Sequence, residues 1–299
     1  MTIHLREATP EDLAALHALA SRSLPFDRFS PDLLAEKLLP SPGRPGWRTR
    51  TLVAVDGSST IGFMQSIIRD EPVKCWAGMF AVAPERRRQG IGRQLYGAVS
   101  AEWPAGAESE ILAVPGNYFH PGIDPRYTEA LCFVESLGYS RFKDCANLIA
   151  PLDCEFDTAG EVARLAREGI TIRRAAPSDG ALLAAFFGRD FGEDWRYEAA
   201  LGLANSPPSL HLAIQRGEII GFSAHSTQNR EWGFFGPMGT TPAARGKGVG
   251  RVVLWLCLND LRAAGHRTAV IPWVGPISFY HRWAGARVER VFWRYRRGG

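Results

Sequence analysis

The sequence reads VAPERRRQGIGR at residues 82–93 and TTPAARGKGVGR at residues 240–251, and the two stretches align without a gap. Each keeps a proline, an arginine three residues later, and then two glycines separated by one residue. A run of strand-forming residues precedes each stretch, and apolar residues at helical spacing follow it. The pattern therefore predicts a strand, a glycine-containing turn and a helix, twice in one chain.

Both predicted turns suit the binding of an anion. The first N–H groups of a helix have no partner within the helix and lie at its positive end. Glycine also lets the backbone approach a phosphate without a Cβ in the way. We therefore expect each turn to bind the diphosphate of a cofactor.

Two common diphosphate motifs do not fit these turns. A nucleoside-triphosphate loop needs GxxxxGK followed by Ser or Thr, which neither stretch contains. A dinucleotide fingerprint needs GxGxxG after the first strand, whereas GKGVG at 246–250 has another spacing and follows three or four predicted strands. ATP and NAD are thereby discounted as ligands.

Two more pairs of segments repeat in the same order. IHLREATPED at 3–12 returns as ITIRRAAPSD at 170–179, and IGF at 61–63 returns at 220–222. The doubled pattern predicts an α/β chain, with a mixed α+β sheet in each of two tandem copies of one fold.

The length of the chain agrees with two domains. Its 299 residues, of which 45% are hydrophobic, exceed the usual size of one domain. We predict an N-terminal domain at 1–152, a linker with a short helix at 153–169, and a C-terminal domain at 170–299.

Composition limits the location and partners of the protein. The apolar run at 252–258 is too short to cross a bilayer, and residues 1–12 lack the apolar region of a signal peptide. Five scattered cysteines predict a reducing compartment and no metal site, and a net charge of +4 does not call for nucleic acid. We expect a cytoplasmic protein without membrane or nucleic-acid partners, and a homodimer stays open.

The repeated stretch resembles the coenzyme A loop of the GCN5-related N-acetyltransferase (GNAT) superfamily. That loop reads Arg or Gln-x-x-Gly-x-Gly or Ala, between the fourth strand and the third helix. The resemblance implies two tandem GNAT-like domains that use acetyl-CoA as co-substrate. It assigns cofactor binding in the first copy to Val82, Arg87, Arg88, Gln89, Gly90, Ile91, Gly92 and Arg93. In the second copy it assigns Met238, Gly239, Thr240, Arg245, Gly246, Lys247, Gly248, Val249, Gly250 and Arg251.

The segment GPISFYHRWAGA at 275–286 resembles the family's Phe-Tyr-x4-Gly-Phe segment, whose tyrosine often protonates the departing thiolate. The resemblance makes Tyr280 the predicted acid, because a neutral phenol can donate to a thiolate. A buried core tyrosine is the alternative. Phe133 stands at the matching place in the first copy, although Tyr127 could substitute. The N-terminal domain is therefore predicted to be degenerate and the C-terminal domain to be the catalytic one.

The resemblance implies direct transfer of the acyl group to the primary amine of a small, unidentified acceptor. We nominate Glu231, before the fourth strand, as the base, and His225 stays open as a second choice. Acids interleaved with aromatics at 186–209 would suit a cationic amine, although an amphipathic helix explains them equally well. A mycothiol-synthase-like acetyltransferase and a non-catalytic acyl-CoA sensor or scaffold are the alternatives, and Tyr280 disfavours the sensor.

Overall fold

The computed structural model describes residues 3–39 and 44–298. By its contacts the chain divides into two compact units, one formed by Met1–Cys145 with Val291–Gly299 and the other by Ala146–Arg290. Both are α/β, as predicted, and they contain one mixed sheet and one antiparallel sheet. None of the helices within the described ranges has the length and apolar character that a bilayer crossing requires.

The first unit is a twisted sheet covered by helices. Strands β1 to β4 pair antiparallel in chain order, and β5 then pairs parallel with β4. The elements are β1 (His4–Glu7), α1 (Leu13–Ser23), α2 (Pro31–Leu38), β2 (Trp47–Asp56), β3 (Ser59–Arg69), β4 (Lys74–Val82), α3 (Ile91–Ser100), β5 (Ser109–Ile111), α4 (Thr128–Ser136) and β6 (Ser140–Pro151).

After a short helix, the second unit repeats the antiparallel part of this arrangement. Strands β7 to β10 form an antiparallel sheet in the order β10-β9-β8-β7, and β11 pairs antiparallel with β6. The elements are α5 (Ala159–Arg167), β7 (Ile170–Arg174), α6 (Gly180–Asp190), α7 (Glu193–Leu203), β8 (Leu210–Gln215), β9 (Glu218–His225), β10 (Phe235–Thr240), α8 (Val249–Ala263), β11 (Thr268–Ile271), α9 (Ile277–Ala284) and β12 (Arg287–Arg297).

Two strands contribute residues to both units. The chain leaves the first unit within β6, after Cys145, and re-enters it within β12, at Val291. There Arg296 and Arg297 of β12 pair with β5. The predicted boundaries 1–152, 153–169 and 170–299 would keep each strand in one domain, so the compact units differ from that division. Hydrogen bonds between strands far apart in the chain cause the difference, and local sequence does not show them.

The repeated glycines of IGF have the same role in both units. A Cβ on Gly62 would lie 3.1 Å from the Leu95 Cδ1 atom of α3, and one on Gly221 would lie 2.8 Å from the Val249 Cγ1 atom of α8. Glycine therefore lets the helix after each turn pack directly on the sheet. The inward side chains of that helix in the first unit, Leu95 and Val99, are fully buried.

A second repeated feature joins the first strand of each unit to the following turn. Arg6 donates two hydrogen bonds of 2.6 and 2.7 Å to the Asp12 carboxylate, and Arg173 does the same to Asp179. The Arg6 hydrogen bonds, together with the Thr9 N–H, lower the pKa of Asp12 to about 2. Arg173 likewise lowers the pKa of Asp179.

Replacing Asp12 by Asn should lower the free energy of unfolding by about 2 kcal/mol at pH 7, because the ionised carboxylate is lost. Because the pKa of Asp12 is lower in the folded state, its ionised carboxylate stabilises that state at pH values above the unfolded pKa of 3.8. This stabilisation is lost as the pH falls through about 2. The variant and the parent should therefore converge below that pH in urea unfolding. Asp144→Asn is the matched control, because Asp144 forms an exposed ion pair with Arg141 at a similar N–O distance. This variant should lower the free energy of unfolding much less.

Candidate functional site

The two glycine turns have the same backbone conformation. Gly90 precedes α3 with φ of +81°, and Gly248 precedes α8 with φ of +86°. Arg88 and Gly246, two residues earlier in each turn, also have positive φ, of 64° and 78°. Since these values lie in the left-handed region that favours glycine, the spacing of the glycines fixes the shape of the turn. Each turn ends at the N-terminus of a helix, as predicted.

The first turn opens onto a cavity of about 860 Å³. A Cβ on Gly90 would meet only the tip of Gln94, at 3.9 Å, so the turn is accessible. Most of the cofactor-binding residues predicted for this copy line the cavity. They are Val82, Arg87, Arg88, Gly90, Ile91, Gly92 and Arg93. Gln89 is not among the lining residues, and its side chain accepts a hydrogen bond from Arg86.

Two strands separate beside this cavity. β4 and β5 pair only as far as Ala77 and Ile111, after which Leu112 turns away with φ of 54°. β4 also carries an irregularity opposite Gln65, whose side-chain carbonyl accepts from the Met79 N–H at 3.4 Å. The gap exposes the last part of β4, from Met79 to Val82, to the cavity. A long, thin ligand can enter between the strands at this point.

The same cavity is lined by a group of three titratable side chains. His120 Nε2 lies 2.7 Å from Asp27 Oδ1, and the Tyr127 hydroxyl donates to Asp27 Oδ2 at 2.6 Å. The Tyr127 oxygen also accepts from the Phe26 N–H. His120 is stacked on Phe292 of β12, with ring centroids 4.9 Å apart. The sequence indicated Tyr127, but no local pattern pointed to Asp27, which comes from the loop between α1 and α2.

Basic side chains surround the first turn. Arg86 pairs with Asp56 at 2.8 Å, and Arg87 donates to the Ser23 carbonyl and lies 3.4 Å from Glu129. Arg86, Arg87 and Arg88 all line the cavity. Several arginines beside exposed helix N–H groups favour a ligand with more than one negative charge.

The second turn is covered by side chains of helix α5. Arg164 donates to the Lys247 carbonyl at 2.6 Å, and its guanidinium lies 2.9 Å from where a Cβ on Gly248 would be. Glu161 lies 2.5 Å from Arg251 and 3.0 Å from Arg164. Hydrogen bonds from Arg251 and then from Arg164 lower the pKa of Glu161. A carboxylate of the chain itself thus lies at the turn predicted to bind a diphosphate.

Aromatic rings pack on the strand before the second turn. A Cβ on Gly239 would lie only 2.5 Å from the Phe191 ring and 3.1 Å from Trp195, and these two rings are stacked 5.1 Å apart. Pro237, within the irregular part of β10, has no N–H to donate. Met238 packs with its methyl group near Gly250. Aromatic rings therefore cover the β10 backbone at Gly239.

Sequence comparison with known families agrees with this doubled geometry. Residues 47–141 match the acetyltransferase (GNAT) domain, and residues 180–285 match the acetyltransferase (GNAT) family. The chain belongs to the GNAT superfamily. It contains two of the superfamily's domains in tandem and is an N-acetyltransferase.

Individual relatives are distant. The mycothiol acetyltransferase of Streptomyces scabiei (strain 87.22) is 28% identical over 251 residues, which make up 77% of this chain and 72% of that protein. The crystal structure of a GCN5-related N-acetyltransferase from Sphaerobacter thermophilus superposes with a TM-score of 0.72 at 20% identity. The match covers 99% of this chain and 95% of that chain.

Two further solved structures share the fold. The tandem GNAT protein of the clavulanic acid biosynthesis pathway has a TM-score of 0.69 at 16% identity, over 99% of this chain and 98% of its own. The GCN5-related glucosamine N-acetyltransferase region of a fungal GH3 β-N-acetylglucosaminidase has a TM-score of 0.83 at 19% identity. The match covers 99% of this GNAT chain but only 38% of that longer protein. At these identities the structures show the fold alone.

The catalytic residues predicted from the sequence lie in the second GNAT domain. Tyr280 of α9 is buried beside Phe235 and Phe279, and its hydroxyl lies 4.0 Å from Met238 Sδ. Burial raises the pKa of Tyr280 to about 12, so the phenol stays protonated at neutral pH. Glu231 lies in a short helical turn before β10 and is exposed. Both assignments stay predictions.

His225, the second choice for the base, has a structural partner. Its Nε2 atom lies 3.2 Å from Asp260, and His211 contacts the same carboxylate at 2.7 Å. Arg174 also donates to Asp260 at 2.6 Å. Asp260 belongs to α8 and the other three residues to the sheet, so this group fastens the helix to the strands beneath it.

Proposed function

We propose that this protein is an acetyl-CoA-dependent N-acetyltransferase that transfers the acetyl group directly to the primary amine of a small acceptor, in the cavity of the first unit. One observation carries the proposal. The first glycine turn, the separated strands and the Asp27 group line one cavity, whereas the second turn lies under Arg164 and Glu161.

The first cavity matches the chemistry of acetyl-CoA. The N–H groups from Gly90 onward and the arginines around them would hold the diphosphate, because helix N-termini and guanidinium groups both favour phosphate. The gap between β4 and β5 would take the pantetheine arm. A backbone N–H group of β4 after Met79, whose own N–H donates to Gln65, would polarise the thioester carbonyl. The protein's contribution is to position the two substrates and stabilise developing charge.

The acceptor side of the cavity carries acids and aromatic rings. Asp27 and Asp124 are among its lining residues, together with Phe119 and Tyr127. Carboxylates and ring faces both attract a protonated amine, so a cationic small molecule is the acceptor class we propose. Five free cysteines support a reducing location, and we place the activity in the cytoplasm.

Mycothiol acetyltransferase activity is the second candidate, because the relative from Streptomyces scabiei has that name. It belongs to the same reaction class and differs only in the acceptor. A non-catalytic acyl-CoA sensor is the third reading, and it would bind the cofactor without consuming it with any amine.

The two glycines allow a matched test of which unit binds the cofactor. Acetyl-CoA at about 100 times its Kd should stabilise the native state by about 2.7 kcal/mol and raise the melting temperature. Gly90→Glu should abolish this rise, because the new carboxylate repels the diphosphate. Gly248→Glu has the same strain from a positive φ and must also displace the end of the Arg164 side chain, but it should keep the rise. The opposite order would place the main site in the second unit, as the sequence predicted.

Tyr280→Phe tests the predicted acid directly. We expect turnover to stay within about twofold of the parent, since Tyr280 lies in the other unit from the proposed cavity. Turnover is measured as acetyl-CoA consumption with polyamines, aminoglycosides, amino sugars, amino acids and peptides. A loss greater than about tenfold with intact acetyl-CoA binding would restore Tyr280 as the acid. If acetyl-CoA is consumed with none of these amines, the result would favour the non-catalytic sensor.

A further inference from the structure

The first inference concerns how protons move during transfer, and it rests on the proposed function. Asp27 and His120 are almost fully buried, with side chains 2% and 7% exposed, whereas Tyr127 is only half-buried. The Tyr127 hydroxyl donates to Asp27, and His120 donates to it in the tautomer that carries its proton on Nε2. Tyr127 is therefore the member that a substrate can reach, and the buried pair lies behind it.

The surroundings of this group keep it in one arrangement. The His120 ring is held between Phe119 and Phe292, with centroids 4.5 and 4.9 Å away. The Phe26 N–H fixes the Tyr127 oxygen from the backbone, and the Phe26 ring lies 5.1 Å from the Tyr127 ring. A proton path needs donors and acceptors at fixed hydrogen-bond distance, and both hydrogen bonds to Asp27 satisfy this condition.

We infer that Tyr127 and Asp27 carry one proton from the attacking nitrogen to the leaving sulfur, and that His120 is a positioning residue for Asp27. The reacting amine first releases its ammonium proton to water, and the neutral nitrogen then forms a bond to the thioester carbon. Its N–H proton passes to the Tyr127 oxygen as the Tyr127 proton passes to Asp27 Oδ2. When the C–S bond breaks and leaves its electron pair on sulfur, the proton returns through Tyr127 to the thiolate. The products are the amide and free coenzyme A, and the side chains regain their starting state.

The test uses acetyl-CoA with whichever amine of the screen gives the highest turnover. Tyr127→Phe should lower kcat by about 100-fold and leave the acetyl-CoA Kd within about threefold, because the relay is cut without removing the ring. His120→Gln, which can still donate to Asp27, should retain more activity than His120→Ala. Tyr96→Phe removes another buried hydroxyl of the same unit, one that bonds Tyr139, and should leave kcat unchanged.

An unchanged kcat in Tyr127→Phe would overturn the relay. Equal losses in His120→Gln and His120→Ala would overturn the positioning role, since both variants lose the stacked ring and only Gln keeps a donor for Asp27. Failure of the parent chain to bind acetyl-CoA at all would instead refute the proposed function, so the two failures are separable by calorimetry.

A second inference comes from helix α5 and stands on different residues. Glu161 presents a carboxylate at the second turn, held by Arg251 and Arg164, and Arg164 also binds the turn's own Lys247 carbonyl. The corresponding place in the first unit is open, and Arg93, which matches Arg251, contacts Ser136 instead. The structure assigns to α5 the role of an internal occupant that closes the second turn, so that each chain binds one coenzyme.

Calorimetry with coenzyme A tests whether α5 closes the second turn. The parent chain should bind one molecule, and the double variant Glu161→Gln with Arg164→Gln should bind two. Arg167→Gln changes an exposed arginine of the same helix and should leave the stoichiometry at one. Two molecules bound by the parent, or the same number bound by the double variant as by the parent, would overturn the inference. If the parent binds none but the double variant binds one, the proposed function fails while the occlusion by α5 holds.

Discussion

The geometry of each unit depends on a glycine turn with positive φ between a strand and the helix packed on it. Gly90 and Gly248 let the chain enter the helix so that its first N–H groups point outward. Gly62 and Gly221 let the same helix lie directly on the sheet. A side chain at Gly90 or Gly248 would be strained by the positive φ. A side chain at Gly62 or Gly221 would collide with the helix packed on the sheet.

Two turns with one backbone conformation differ only in what lies over them. The first faces a cavity bordered by arginines, separated strands and the Asp27 group. The second faces an arginine and a glutamate from α5, and aromatic rings cover the strand before it. A doubled motif thus gives two potential anion sites, and the segment that joins the copies decides which one remains accessible.

The cavity of the first unit also depends on the end of the chain. Trp293 of β12 exchanges hydrogen bonds with Ile123, and Phe292 stacks on His120. The insert that carries His120 and Tyr127 is therefore held against a strand formed by the last residues of β12. The second unit gains a strand in return, since β6 pairs with β11. Neither copy is complete from its own stretch of sequence.

The resemblance of the repeated loop indicated the GNAT family. The sequence by itself determined the doubled fold, the two turns and their helices, because glycine spacing and apolar periodicity act locally. It also indicated a short helix before residue 170, which α5 provides. Only the tertiary structure decided that β6 and β12 join both units and that Glu161 lies at Gly248. It also brought Asp27 beside His120 and Tyr127. These contacts join residues far apart in the chain, and packing, rather than local conformational preference, selects them.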